Sequence, residues 1–191
     1  MTNSPLLNAF DQNNAAFLTY TVGGDPNKET SLEIFREIAR SGADIIECGL
    51  GHGANIGDGG AIQDGTYRAL SNGIKTDDVF DIIKTLRDEF DTNVIIMTYQ
   101  NKIMSYGEES FLSKCVESKV AGIICVDWPW PLNLNFAAKC KKNNIDFIQL
   151  LCPTTNEKRL KLILNDAHDV VYYISMLSTC LLYTSPSPRD S

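Results

Sequence analysis

Six short apolar segments alternate along the chain with segments whose apolar residues recur at helical spacing. Apolar runs of this kind predict strands that are buried on both faces of a parallel sheet. Strict alternation of such strands with helices is compatible with a closed (β/α)₈ barrel or with an open doubly wound sheet. The predicted strands are residues 15–22, 44–48, 94–97, 121–126, 147–151 and 170–174.

Glycine motifs help to choose between these two folds. No G-x-G-x-x-G motif follows the first predicted strand, and no G-x-x-x-x-G-K-[ST] motif occurs in the sequence. Nucleotide-binding versions of the open sheet therefore lose support. We predict an α/β fold, a (β/α)₈ TIM barrel of which about six of the eight units are present. Because six strands cannot close such a barrel, we expect the 191-residue chain to expose two strand edges, to fold poorly and to be inactive.

Charge and hydropathy limit the partners and the location of the chain. The formal net charge of -7 argues against nucleic acid or an anionic membrane as a partner. A small anionic ligand remains compatible with it, since such a ligand needs only a local site. No apolar run approaches the roughly 20 residues of a membrane span. The first residues lack the pattern of a signal peptide, and we therefore expect a cytoplasmic protein.

Cysteine and histidine residues give no sign of a metal site or of a disulfide framework. The six cysteines are scattered without a C-x-x-C pair, and several fall in apolar strand or helix patterns, which favours reduced, buried thiols. His52 and His168 are isolated in the sequence, and we predict that both are loop or surface residues rather than metal ligands. We therefore predict no metal and no cofactor.

Two carboxylates mark the most informative stretch, residues 43–63. Glu47 closes the second predicted strand, and Asp58 follows in a glycine-rich loop. The carboxyl ends of barrel strands and the loops after them are where catalytic residues collect. Two purely structural alternatives stay open: Glu47 could lie at a strand end on the surface, and Asp58 could be the N-cap of the following helix.

The last residues differ in character from the rest of the chain. Residues 180–191 read CLLYTSPSPRDS and show neither a helical nor a strand period. A flexible tail is one interpretation. The run also resembles translated sequencing adapter, and we expect a non-native tail of this origin. On this interpretation residues 1–179 form a single partial domain, and the authentic protein continues beyond it in its parent gene.

An ordered set of motifs makes the chain similar to the tryptophan synthase α subunit family. The resemblance covers essentially all of residues 1 to about 179, and each motif alone is weak. The motifs are Phe17-Leu18-Thr19 with Gly24-Asp25-Pro26, Ile46-Glu47-Cys48-Gly49, Asp58-Gly59-x-x-Ile62-Gln63, Met97-x-Tyr99-x-Asn101, Asp127-x-Pro129, Pro153-Thr154-Thr155 and Tyr172-Tyr173-x-Ser175.

The resemblance implies a lyase that cleaves indole-3-glycerol phosphate to indole and glyceraldehyde 3-phosphate, without a cofactor of its own. It implies that Glu47 is the general acid/base and that Asp58 stabilises positive charge on the indole nitrogen. It further implies a β subunit as partner. The substrate-binding residues that it implies are Phe17, Tyr99, Asp127 and Tyr172. For the three aromatic residues, ordinary barrel core is an equally good interpretation.

The loop between the two carboxylates departs from the family pattern. The family reads proline, an aromatic residue and Ser-Asp-Pro where this chain has Gly51-His52-Gly53-Ala54-Asn55. We expect a more flexible loop and weaker contact with a β subunit, since glycine multiplies and proline restricts backbone states. Two alternatives therefore stay open: a catalytically weak α-like regulatory subunit that binds a β subunit, and another phosphate-binding barrel enzyme. The phosphate-binding residues cannot be assigned within this sequence.

Overall fold

The computed structural model describes residues 4–10 and 15–175, and these form a parallel sheet with helices packed against it. Five strands are hydrogen-bonded in chain order, all of them parallel. Two further strands form a second parallel pair. The strands are β1 (Leu18–Val22), β2 (Ile45–Gly49), β3 (Asn93–Thr98), β4 (Gly122–Cys125), β5 (Asp146–Phe147), β6 (Gln149–Leu151) and β7 (Val171–Tyr173).

Helices occupy the connections between successive strands, except between β5 and β6, as a (β/α) repeat requires. A short 3₁₀ helix, Pro5–Ala9, precedes β1. Helix α1 begins after Asn27, whose side-chain oxygen accepts a hydrogen bond from the Thr30 amide at 2.9 Å. The helices are α1 (Lys28–Arg40), α2 (Gly60–Ser71), α3 (Thr76–Glu89), α4 (Gln100–Tyr106), α5 (Glu108–Glu117), α6 (Leu134–Lys142) and α7 (Glu157–Asp166).

The two faces of the main sheet bury different side chains, because alternate residues of a strand point to opposite faces. On β2, Ile46 and Cys48 join the larger apolar cluster, which also contains helical residues such as Phe35 and Ile83. Ile45 belongs instead to the smaller inner cluster. Glu47, two residues further along the strand, therefore lies on the same inner face as Ile45.

The 3₁₀ helix packs against the inner face of the main sheet. Leu6 from this helix packs with Ile45, Ile95 and Ile148 in the inner cluster. Gly122 allows Leu6 to approach, since a β-carbon there would lie 3.1 Å from its Cδ1 atom. This is the packing expected of the interior of a (β/α)₈ barrel.

The fifth predicted strand is divided between the two sheets. β5 pairs with β4 and β6 pairs with β7, while Ile148 between them donates its amide to the Ile123 carbonyl at 2.9 Å. One continuous stretch, 146–151, therefore links both sheets, and the six predicted strand positions are confirmed with shifted bounds.

One helix of the structure has no counterpart among the elements expected from the sequence. Helix α4 was not predicted, because its sequence QNKIMSY has too few apolar residues for a helical period. The start of α4 is fixed by a contact that is distant in the sequence. The backbone amide of Gln100, its first residue, donates a hydrogen bond at 2.6 Å to the carboxylate of Asp127.

The cysteines inside the described residues are free thiols, and four of them are buried. They are Cys48, Cys115, Cys125 and Cys140, with Cys152 partly exposed. Cys180 and the tail predicted at 180–191 lie outside the described residues. Across residues 4–10 and 15–175, every helix is too short or too polar to cross a bilayer.

Candidate active site

Glu47 is a buried carboxyl group in the middle of the sheet. It is the third residue of β2, paired with Tyr20 of β1 and Ile95 of β3, and only 3% of its surface is exposed. Burial raises the pKa of Glu47 from its ordinary value of 4.5 to about 7. The surface strand end considered from the sequence is therefore excluded, and the group can gain or lose a proton near neutral pH.

Tyr20 lies beside Glu47 on the same inner face. It was not among the site residues predicted from the sequence. Burial raises its pKa, and the charges of Asp58, Cys48, Glu47 and Tyr99 raise it further. Tyr20 is thus close to both predicted catalytic carboxylates. Its position near the carboxyl end of the predicted strand 15–22 is the signal that could have identified it.

Phe17 does not belong to this group, which corrects the prediction that it binds substrate. It precedes β1 and is 55% exposed. Its amide donates to the Asp44 carboxylate at 2.7 Å, and its carbonyl accepts from the Asp44 amide at 2.9 Å. Asp44 comes immediately before β2, so Phe17 lies at the amino ends of the strands, whereas Glu47 and Asp58 face the carboxyl ends.

Asp58 is buried in the loop that connects β2 to α2, with 7% of its surface exposed. The N-cap alternative is wrong, because the N-cap of α2 is Gly59 and its first turn has no side-chain cap. The Asp58 carbonyl accepts a hydrogen bond from the Gln63 side chain at 2.9 Å. This bond joins the loop to the first turn of α2.

Tyr99 connects the Asp58 loop to the end of β3. It follows β3 directly, is 3% exposed, and accepts a hydrogen bond at its hydroxyl from the Gly57 amide at 3.0 Å. Burial raises the pKa of Tyr99 to about 12, with the Asp58 charge as the next cause. Tyr99 and Asp58 are therefore neighbours, as the prediction of a shared site requires.

Asp127 and Tyr172 lie at the edge of this group. Asp127 follows β4, is exposed, and uses one carboxylate oxygen to accept from the Gln100 amide at 2.6 Å. Tyr172 is 37% exposed on β7, and its pKa is raised by burial and then by the charge of Glu47. The geometry thus gives Asp127 a structural role at the start of α4, and it brings Tyr172 near Glu47.

Both histidines lie in loops, as predicted, but both are partly buried rather than exposed. The side chain of His52 is partly buried, and its ring centroid lies 5.5 Å from that of Tyr99. The His168 side chain is only 7% exposed, and its Nδ1 atom lies 3.8 Å from the fully buried carboxylate of Asp146. Among the residues that the structure describes, no group of three or more potential metal-binding side chains comes together.

The arrangement is suited to general acid–base chemistry. Glu47 is a protonatable group in a dry site, and Asp58 is a second carboxylate on the loop above the strand ends. Two carboxyl groups in different surroundings can divide proton transfer and charge stabilisation between them. Tyr20 and Tyr99 add hydroxyl groups and apolar ring faces at the same place.

The sequence matches the family model described as "Tryptophan synthase alpha chain" over residues 6–181. A relative of that name from Pelagibacter ubique (strain HTCC1062) is 53% identical over 165 residues, which cover 86% of this chain and 62% of the relative. The chain thus spans less than two thirds of the length of this relative.

Solved structures with the same name have the same fold. The tryptophan synthase alpha chain of Legionella pneumophila superposes with a TM-score of 0.82 at 30% identity, covering 95% of this chain and 67% of that one. A chain from the tryptophan synthase a2b2 complex of Pyrococcus furiosus superposes with a TM-score of 0.80 at 31% identity, covering 100% of this chain and 70% of that one. The described strands and helices are therefore those of a TIM barrel.

Proposed function

The chain belongs to the tryptophan synthase alpha chain family. We propose that it is part of a lyase, and that this lyase cleaves indole-3-glycerol phosphate to indole and glyceraldehyde 3-phosphate. The observation that carries the proposal is the buried carboxyl of Glu47, whose pKa burial raises to about 7. A group of this kind can both donate and accept a proton at neutral pH.

The reaction requires two proton movements and one bond cleavage. Glu47 donates a proton to C3 of the indole ring, which leaves positive charge on the ring nitrogen. Its carboxylate then takes the proton from the C3′ hydroxyl of the glycerol chain. The C–C bond breaks as the aldehyde forms, and the bonding electrons return to the indole ring.

Asp58 has a separate role in this proposal. Its carboxylate stabilises the positive charge that develops at the indole nitrogen, which is a contribution made mainly in the transition state. Tyr20, Tyr99 and Tyr172 provide the aromatic walls against which a planar indole packs. The position of Asp58 beside Tyr99 supports this assignment.

Pairing with a β subunit and a cytoplasmic location are part of the proposal. The similarity to a chain from a tryptophan synthase a2b2 complex supports the partner. The loop that carries Asp58 also presents Ile56, a large apolar side chain that is 83% exposed. The free thiols at Cys48, Cys115 and Cys125 suit the reducing cytoplasm.

The test uses an extended form of the chain, in which the corresponding C-terminal segment of the Pelagibacter ubique relative follows Thr179. This form is supplied with indole-3-glycerol phosphate, and indole is measured with and without a β subunit. We expect indole in both conditions, at a higher rate with the β subunit. A folded extended form that makes no indole in either condition, yet raises the activity of the β subunit, would instead support the regulatory-subunit alternative.

A further inference from the structure

The loop that carries Asp58 needs a fixed contact if that carboxylate is to have one position. The loop runs from Leu50 to Gly59 and contains glycine at 51, 53, 57 and 59. Glycine leaves the backbone with more accessible states than any other residue. A loop of this composition reaches a single conformation only when contacts to the rest of the fold select it.

Tyr99 supplies two such contacts, one at each end of the loop. At the far end, the Gly57 amide donates a hydrogen bond to the Tyr99 hydroxyl at 3.0 Å. At the near end, the His52 ring packs on the Tyr99 ring, with centroids 5.5 Å apart and planes inclined by 35°. This separation is within the range in which aromatic rings attract one another.

The contact at Gly57 leaves little free space. A β-carbon at Gly57 would lie 3.1 Å from the Tyr99 hydroxyl and 3.0 Å from the Cγ1 atom of Val126. Both distances are shorter than ordinary van der Waals contact. The loop therefore lies against the strand ends immediately before Asp58, whose own amide donates to the Asn55 carbonyl at 3.1 Å.

Tyr99 is a suitable anchor because it is itself held in place. Its side chain is buried, and it lies between the last residue of β3 and the first turn of α4. The Lys102 and Ile103 amides both donate to its carbonyl, at 3.0 and 3.4 Å. Contacts with Tyr99 thus transfer the rigidity of the sheet to the loop.

We propose that His52 is a positioning residue, whose ring packs on Tyr99 and, together with the bond from Gly57 to the Tyr99 hydroxyl, holds the loop so that Asp58 stays at the site. The inference rests on the proposed function only in the role that it gives Asp58. The contacts themselves are independent of that role. An imidazole thus anchors a loop that contains four glycines and no proline.

The direct test is amide hydrogen exchange, followed residue by residue by NMR in the extended form. In His52→Ala the Gly57 and Asp58 amides should exchange about 2- to 10-fold faster, the factor expected for loss of one ring–ring contact. His52→Phe keeps an aromatic ring and should retain most of the original protection. Ile56→Ala removes an exposed side chain from the same loop and should leave both rates unchanged.

Two further variants separate the two contacts. Tyr99→Phe keeps the ring but removes the hydroxyl, so the Gly57 amide should lose protection while the His52 ring stays packed. Gly57→Ala should displace the loop from Tyr99 and reproduce the effect of His52→Ala on Asp58. Amides of β2 and β3 serve as the reference that each variant is folded.

Kinetics of the extended form then show whether the held position matters for the reaction. His52→Ala should lower kcat by about 2- to 10-fold with a smaller change in KM, because Asp58 acts mainly in the transition state. His52→Phe should recover kcat. Exchange rates in His52→Ala equal to those of the unaltered protein, or no rescue by His52→Phe, would overturn the inference. If the unaltered extended form makes no indole, the proposed function fails, whereas the exchange rates still decide the role of His52.

Discussion

Tyr20 fills the space over Gly49, so closely that a β-carbon at Gly49 would overlap the hydroxyl oxygen of the tyrosine. The two residues lie on neighbouring strands, β1 and β2, and the residue paired with Tyr20 is Glu47, two positions before Gly49. Glycine after the Glu47-Cys48 pair is therefore needed for the tyrosine ring to reach the site. The motif Glu47-Cys48-Gly49 thus combines the proposed proton-transfer group with the space that the neighbouring Tyr20 ring needs.

Gly49→Ala should destabilise the fold through this contact. Overpacking of a buried site costs about 1–3 kcal/mol of unfolding free energy. In a Tyr20→Ala background most of that cost should disappear, since the atoms that the new methyl group meets are gone. Denaturant unfolding of the four proteins of the cycle measures the coupling. Gly53→Ala, at a position with open space around it, is the matched control and should be close to neutral.

Glu47→Gln should change how the stability of the protein depends on pH. The folded-state pKa of Glu47 is raised from 4.5 to about 7, so its ionisation disfavours the folded state. The stabilisation from the neutral carboxyl is complete below pH 4.5 and is lost as the pH rises through about 7, which amounts to about 3 kcal/mol. Glu47→Gln should not show this loss.

Unfolding free energies measured across this pH range, relative to Glu47→Gln, test the shift. The advantage of Glu47→Gln should grow with pH and level off above about pH 8. Glu29→Gln, a change on the exposed face at the start of α1, is the control for the loss of one surface charge. A constant difference between Glu47→Gln and the unaltered protein would contradict a raised pKa.

Asp146→Asn, on β5 and three strands from Glu47, should gain stability relative to the unaltered protein as the pH rises, as Glu47→Gln should. Asp146 is fully buried, and neither of its carboxylate oxygens has a hydrogen-bond partner among the described residues. Burial raises the pKa of Asp146, while the nearby Ser4 and then His168 oppose the rise. The stabilisation from the neutral acid is therefore present below its ordinary pKa of 3.8 and is lost as the pH rises through the folded-state value.

Melting temperatures at several pH values check this expectation. Asp146→Asn should gain on the unaltered protein as the pH rises, since an amide of the same shape carries no charge to bury. His168→Asn, which removes the opposing ring, should increase the pH dependence of the protein that keeps Asp146. A melting temperature of Asp146→Asn that falls relative to that of the unaltered protein as the pH rises would contradict a raised pKa of Asp146.

Much of this fold could be predicted from the sequence because its signals are local. The strands are continuous apolar runs, and positions such as Gly42, with φ of 88° after α1, end the helices. Helix α4 could not be found in this way. Its amino end is fixed by a hydrogen bond to Asp127, which is distant in the sequence, and its own residues show no helical period of apolar side chains.

In the site, too, the residues that depend on local sequence could be predicted, whereas those that depend on contacts distant in the sequence could not. The position of Glu47 follows from its place in an apolar strand, and its burial agrees with that prediction. Phe17 was chosen instead of Tyr20 because a motif match does not say toward which end of a strand each residue lies. His52 was dismissed because its partner, Tyr99, is distant in the sequence, and only the folded chain brings the two rings together.

The most direct test of the central claim is the rate of indole formation by the extended form and by its Glu47→Gln variant. With Glu47 as the acid and base, the variant should keep its fold and lose at least about 10²-fold in kcat, the usual contribution of a positioned acid or base. A folded Glu47→Gln enzyme that produces indole at the rate of the unaltered extended form would contradict this account.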